Sequence, residues 1–250
     1  MAVQVFADGA LFGEVYGETP QVIALHGWAR SSRDFGKLFS IADENRPALS
    51  GIAFDLPGFG NSPPFDHNVG SAEYAELVAS VISSIEKPIV LVGHSFGGRV
   101  AIHIAAIVPD KVKALVLTGV PLIKLSNPKP KLSYKILRKM HHYKLIGDNT
   151  MEKIRRQFGS SDYAAASPAM RQVLSRVNSE DYRPTMTKIG CQVELLWGEN
   201  DMTVSLAVAH EASTYFKSVN LTICRGISHL LPTEDPVSLY DTCVRVGSTV

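Results

Sequence analysis

Four short apolar runs recur along the first half of the chain, and their spacing constrains the fold more than any other feature. Gln21 to His26 (QVIALH), Gly51 to Leu56 (GIAFDL), Pro88 to Gly93 (PIVLVG) and Val112 to Gly119 (VKALVLTG) are rich in aliphatic and β-branched residues. Each is too short for a typical helix and is bounded by Gly or Pro, so each reads as a buried strand. Between them, Ser71 to Glu86 places Tyr74, Leu77, Val78, Val81, Ile82 and Ile85 at helical spacing, and Phe96 to Val108 is an Ala/Ile-rich helix closed by Pro109. Strand alternating with helix predicts βαβ units on a parallel sheet. Val3 to Ala7 and Leu11 to Tyr16, joined through Asp8-Gly9, predict a hairpin on the sheet's edge.

The alternation stops after Gly119 and resumes with Cys191 to Trp197 (CQVELLW) and Asn220 to Cys224 (NLTIC). The intervening stretch opens with the connector Asn127-Pro128-Lys129-Pro130 and continues with three polar, helix-compatible segments and no strand pattern. The expected organisation is an α/β core of residues 1–119 and 188–250, its mostly parallel sheet flanked by helices, with an inserted helical cap at 120–187. A chain of 250 residues, 45% hydrophobic and 20% charged, is long enough to bury one large core of this kind.

A formal net charge of +1 argues against nucleic acid or an anionic membrane as a general partner. The start, Met1 to Asp8, lacks a basic region followed by a long apolar run, and no apolar stretch reaches the roughly 18 to 20 residues of a membrane span. A cytoplasmic location is expected. Cys191, Cys224 and Cys243 are odd in number and far from any metal-ligand spacing, so they are expected as small, reduced, buried or half-buried side chains.

In open α/β sheets the reactive groups collect beyond the carboxyl ends of the strands. After PIVLV comes Gly93-His94-Ser95-Phe96-Gly97-Gly98, a G-x-S-x-G turn entering directly from a strand and opening a helix. Such a turn forces its serine into a strained backbone conformation that exposes Oγ. By itself the pattern also suits an inert Gly/Ser turn. A serine hydroxyl needs a base within hydrogen-bond reach, and the base needs a partner to fix its tautomer. Beyond CQVELLW lies Gly198-Glu199-Asn200-Asp201, and beyond NLTIC lies Arg225-Gly226-Ile227-Ser228-His229. Ser95 as nucleophile, Asp201 as orienting acid and His229 as base follow in the chain order of this fold class, with Glu199 a competing carboxylate.

On these motifs, together with His26-Gly27-Trp28 and Asp55-Leu56-Pro57-Gly58-Phe59-Gly60-Asn61-Ser62, the sequence resembles the α/β-hydrolase superfamily over nearly its whole length. The resemblance implies acyl transfer through an acyl-enzyme, with the backbone N–H groups of Trp28 and Phe96 forming an oxyanion hole. His26 is expected to brace that loop, and the Asp55 to Ser62 turn to be scaffold. Serine at position 95 disfavours the dehalogenase and epoxide-hydrolase branches, which use aspartate. The His26-Gly27-Trp28 loop is similar to that of small carboxylesterases, including the pimeloyl-acyl-carrier-protein methyl ester esterase type, although His94 stands where that type carries tryptophan.

The implied substrate is a small-molecule carboxylic ester or thioester, and no metal or organic cofactor is implied. Carbon–carbon bond hydrolysis, or slow receptor-like turnover, is the alternative. Proline-aminopeptidase activity would require a cap carboxylate among Glu152, Asp162, Glu180 and Asp181. A basic helical face carrying Lys131, Lys135 and Arg138 suits an acidic acyl-carrier protein or a coenzyme A thioester, or is simply solvated.

Overall fold

The computed structural model describes residues 2–44, 46–124, 137, 139–158 and 161–248. Eight strands form one sheet: β1 (Ala2–Phe6), β2 (Leu11–Tyr16), β3 (Val22–Leu25), β4 (Gly51–Asp55), β5 (Ile89–His94), β6 (Val112–Thr118), β7 (Gln192–Gly198) and β8 (Val219–Cys224). Their spatial order is β1-β2-β4-β3-β5-β6-β7-β8. β1 and β2 pair antiparallel, β2 pairs antiparallel with β4, and every later pairing is parallel. This is the expected mostly parallel sheet with its hairpin at the edge. The hairpin turn is longer than the Asp8-Gly9 pair, because Ala7 to Gly9 form a 3₁₀ turn in which Ala7 and Asp8 both adopt positive φ.

Burial follows the sheet order. β3, β4 and β5 are buried at every position, as strands covered on both faces must be, whereas β1 at one edge is mostly exposed. Helices α1 (Gly36–Ser40), α2 (Ser71–Ser83) and α3 (Phe96–Ile107) lie between strands in sequence. In α2 the buried residues Tyr74, Ala75, Val78, Ala79 and Ile82 fall on one helical face. The helix stops at Ser83 rather than Glu86, and Glu73 caps its entry by accepting from the Gly70 N–H at 2.9 Å. One apolar layer joins the sheet to α2 and α3, and a second joins its other face to α1 and the C-terminal helix Pro236–Ser248.

Between β6 and β7 the described residues contain no strand. Helices occur at Asp148–Phe158, Ser161–Ala165, Pro168–Val177 and Arg183–Met186, more segments than the three expected. The last two are fastened to the core. Glu180 accepts from the Ser71 N–H at 3.1 Å, from Ser71 Oγ, and from Tyr182 Oη at 2.6 Å. Buried Arg99 donates to Asn178 Oδ1 at 2.9 Å and to the Pro121 carbonyl at 3.2 Å. Hydrogen bonds to charged groups contribute roughly 1.5 to 3 kcal/mol each, so this cluster ties Asn178 and Glu180 firmly to the first turns of α3 and α2. Among the described residues, no helix is long and apolar enough to cross a membrane.

Candidate active site

Ser95 ends β5 and begins α3 with φ 50° and ψ −113°, a left-handed conformation that costs a non-glycine residue about 1 to 3 kcal/mol. Surrounding contacts over-determine it. The Ser95 N–H donates to the Thr118 carbonyl at 2.9 Å, and the Gly97 N–H donates to the His26 carbonyl at 3.0 Å. A Cβ at Gly93 would lie 2.5 Å from Gly98 Cα, and one at Gly97 would lie 2.2 Å from the Leu25 carbonyl oxygen. Strand and helix therefore approach closely enough to hold the turn only because both positions are glycine.

Asp201 and His229 come from the loops after β7 and β8, and the sheet brings them together. His229 Nδ1 lies 2.8 Å from Asp201 Oδ2. The other carboxylate oxygen, Oδ1, accepts from the Thr203 N–H at 2.9 Å and the Val204 N–H at 2.8 Å. A carboxylate can only accept here, so the His229 proton sits on Nδ1, and Nε2 keeps the lone pair of the neutral ring. Glu199, the competing carboxylate, instead accepts from the Gly226 N–H at 3.0 Å.

Gly119, at the end of β6, supplies the space in which this pair meets. Its φ is +57°, and a Cβ there would lie 2.9 Å from His229 Nδ1 and 3.1 Å from Asp201 Oδ2. Gly119→Ala is expected to cost about 1 kcal/mol from backbone strain and to lower kcat by roughly 10- to 100-fold by displacing the ring. Steady-state kinetics check this, and an unchanged kcat would contradict the packing.

The loop after β3 reaches over from the other side. A Cβ built on Gly27 would approach Ser95 Cβ to 3.3 Å, which brings His26-Gly27-Trp28 against the elbow. His26 braces the loop with both ring nitrogens: Nδ1 donates to the Gly27 carbonyl at 2.7 Å, and Nε2 accepts from the Leu56 N–H at 3.0 Å. Asp55 likewise takes the Ser32 N–H at 2.7 Å and the Asn61 N–H at 2.8 Å, which makes the Asp55 to Ser62 turn a brace for the loop. Among the described residues, the hydrogen bonds around Trp28 and Phe96 leave their own N–H groups unused. Phe96 is the first residue of α3, where the helix dipole favours negative charge. Trp28, Phe59 and Phe96 pack edge to face beside these donors, with ring centroids 5.0 to 6.1 Å apart.

Burial lowers the His94 imidazole to about 3, helped by the nearness of His229, and burial also lowers that of His26. The unfolded chain takes these protons near pH 6.5 while the folded chain resists them. Their contribution to stability is therefore complete above about pH 6.5 and declines as pH falls below it, for His94 until about pH 3, at roughly 1.4 kcal/mol per pH unit per histidine. Urea unfolding between pH 7 and 5 should show the decline, and His94→Asn should make it shallower.

Several sequence candidates lie elsewhere. Glu152 binds Tyr163 and Arg171, Asp181 binds Arg183, and Glu180 belongs to the core fastening. These engagements occupy three of the four carboxylates considered for an amino-terminus pocket. Lys131, Lys135 and Arg138 lie outside the described residues. A cavity of about 1000 Å³ opens at the opposite end of the sheet, beside Gln21, Ser50 and Lys87. Its one thiol, Cys243, is pushed up to about 12 by burial and is inert as a nucleophile. Sequence reasoning missed the Glu180, Arg99 and Asn178 fastening, whose members are far apart in the chain and form no spacing motif.

The sheet order, the strained elbow and the loops beyond the strand ends define the α/β-hydrolase fold. The chain belongs to the alpha/beta hydrolase family, whose sequence profile matches residues 22–242. A pimeloyl-[acyl-carrier protein] methyl ester esterase of Nitrosospira multiformis is 25% identical, covering 88% of this chain and 92% of that protein. Lipase LipV of Mycobacterium tuberculosis is 37% identical over 97 residues, 39% of this chain. The match spans only 36% of that lipase's length and 36% and 40% of the next two curated relatives. Among solved structures, a thermophilic esterase from Thermogutta terrifontis superposes with a TM-score of 0.68 at 20% identity, covering 96% of this chain and 94% of that one.

Proposed function

We propose that this protein is a serine hydrolase of carboxylic esters or thioesters, with Ser95 as nucleophile, His229 as general base and Asp201 as its orienting acid. The observation that carries this reading is the 2.8 Å link from His229 Nδ1 to buried Asp201, together with a serine strained at the head of a helix. Ser95 Oγ attacks the carbonyl carbon while His229 Nε2 takes its proton. The oxyanion so formed is held by the Trp28 and Phe96 N–H groups and by the dipole of α3. His229 then returns the proton to the leaving alcohol or thiol, and water attacks the acyl-enzyme by the same route. No step in this sequence calls for a metal or an organic cofactor.

The helical segment at 120–187 acts in this proposal as a cap on the acyl site, fastened through Glu180 and Arg99. The aromatic wall of Trp28, Phe59 and Phe96 suits an uncharged, apolar group next to the scissile carbonyl. Relatives named for a pimeloyl-acyl-carrier-protein ester support an acyl chain presented by a carrier as one physiological form. Hydrolysis of p-nitrophenyl esters from acetate to decanoate tests the reading, with Ser95→Ala in parallel. Chain-length-dependent turnover that requires Ser95 is expected. Turnover by neither protein would redirect the assignment to carbon–carbon bond hydrolysis or ligand reception.

A further inference from the structure

The chemistry above leaves one group at its centre unused. His94, between Gly93 and Ser95 in the elbow, is buried, and its Nδ1 lies 3.0 Å from the Thr118 carbonyl oxygen and 2.8 Å from Thr118 Oγ1. A carbonyl only accepts, so the His94 proton sits on Nδ1 and Nε2 carries the lone pair. Among the described residues, that Nε2 is the one buried side-chain polar atom with no hydrogen-bond partner. An unpaired buried acceptor destabilises a fold, so polar pairing alone does not account for a histidine ring here.

The ring's surroundings indicate what does. One edge meets the loop after β3: a Cβ on Gly27 would lie 3.1 Å from His94 Cδ2 and 3.4 Å from Nε2. The ring centroid lies 4.9 Å from that of His229, tilted by 50°. His94 is thus a wedge between the loop that carries Trp28 and the ring of His229, on the residue directly before Ser95. An apolar ring would fill the space but lacks the Nδ1–H that fastens it to Thr118.

We propose, on the serine-hydrolase reading, that His94 is a positioning residue: its ring, fastened to Thr118 through Nδ1–H, sets the separation between the oxyanion loop and His229. The charged and titratable groups around it are His229, Asp201 and Arg30. Burial and the neighbouring His229 keep His94 neutral, so it does not repel the imidazolium that His229 becomes during each proton transfer. The role acts on the transition state, in which the oxyanion and the imidazolium exist together, and little on substrate binding.

Three proteins and one spectroscopic measurement test this. His94→Phe retains a ring without the donor, and His94→Asn retains a donor at the Nδ1 position without the ring. Both are expected to unfold cooperatively and to lose roughly 10- to 100-fold in kcat on p-nitrophenyl butyrate, with KM within about threefold of wild type. Wild-type kcat in either folded variant would overturn the proposal. A fluorophosphonate label on Ser95 separates the two levels of the reading. Labelling and turnover in the wild type, with undiminished kcat in the variants, would remove the positioning role alone. A wild type neither labelled nor active would remove the hydrolase reading and this role with it. Ring nitrogen resonances supply the independent readout: His94 should remain a neutral Nδ1–H tautomer from pH 5 to 9, and a ring that titrates in that range would overturn the proposal whatever the activity.

Discussion

Ser95→Ala is expected to lower kcat on an accepted ester by roughly 10⁶, the size of loss seen when one member of an interdependent nucleophile and base pair is removed. On the proposed mechanism, alanine leaves nothing to form the acyl-enzyme and His229 nothing to deprotonate. The Trp28 and Phe96 N–H groups remain, so water attack on a bound ester should still exceed the uncatalysed rate by roughly 10³ to 10⁴. Ser95 is also strained at φ 50°, a backbone conformation as unfavourable for alanine. Stability should therefore change little while activity collapses. Burst-phase and steady-state kinetics with p-nitrophenyl esters, alongside urea unfolding, check both halves. A variant that keeps more than about 1% of wild-type kcat would remove Ser95 from the chemistry.

Asp201→Asn should cost about 10⁴ in kcat with little change in fold, and the reason is a matter of which atoms can donate. Oδ1 accepts from the Thr203 and Val204 N–H groups, while Oδ2 receives His229 Nδ1–H. An asparagine keeps its carbonyl oxygen toward the two backbone donors, because its amide would meet them donor to donor. Its NH₂ must then face His229 Nδ1, which is forced to become the acceptor. The ring proton moves to Nε2, and on the proposed mechanism that nitrogen can no longer take the serine proton. Rate loss with an unchanged KM is the expected kinetic pattern, and ring nitrogen resonances should report the exchanged tautomer. A variant that turned over at the wild-type rate would move the orienting role to another carboxylate.

The strands were legible because burial on two faces demands continuous apolar runs. QVIALH, GIAFDL, PIVLVG and VKALVLTG could not be solvated without large cost, and their positions match β3 to β6 within a residue or two. Element ends were less legible. α2 stops at Ser83 although the apolar spacing continues to Ile85, because helix ends are set by local hydrogen bonds such as Ser84 N–H to the Val81 carbonyl. Between β6 and β7 the helices of the described residues were legible, but the bonds that fasten this part of the chain to α2 and α3 were not. Glu180 and Ser71, and Arg99 and Asn178, are far apart in the chain and meet only in the folded structure.

By itself the sequence determined the class of sheet and the strained elbow, because these depend on local residue type and short-range spacing. Which of Glu199 and Asp201 faces His229 was decided by tertiary structure alone. Both follow the same strand within three residues, and only the packed loop after β8 places His229 on one and the Gly226 N–H on the other. The same holds for His94. In the sequence it is the variable residue of a common motif, and only in the folded molecule does its ring lie between Gly27 and His229 with one nitrogen fastened and the other unpaired. Local pattern carries the backbone's choices, whereas side-chain pairing across distant loops requires the geometry of the completed sheet.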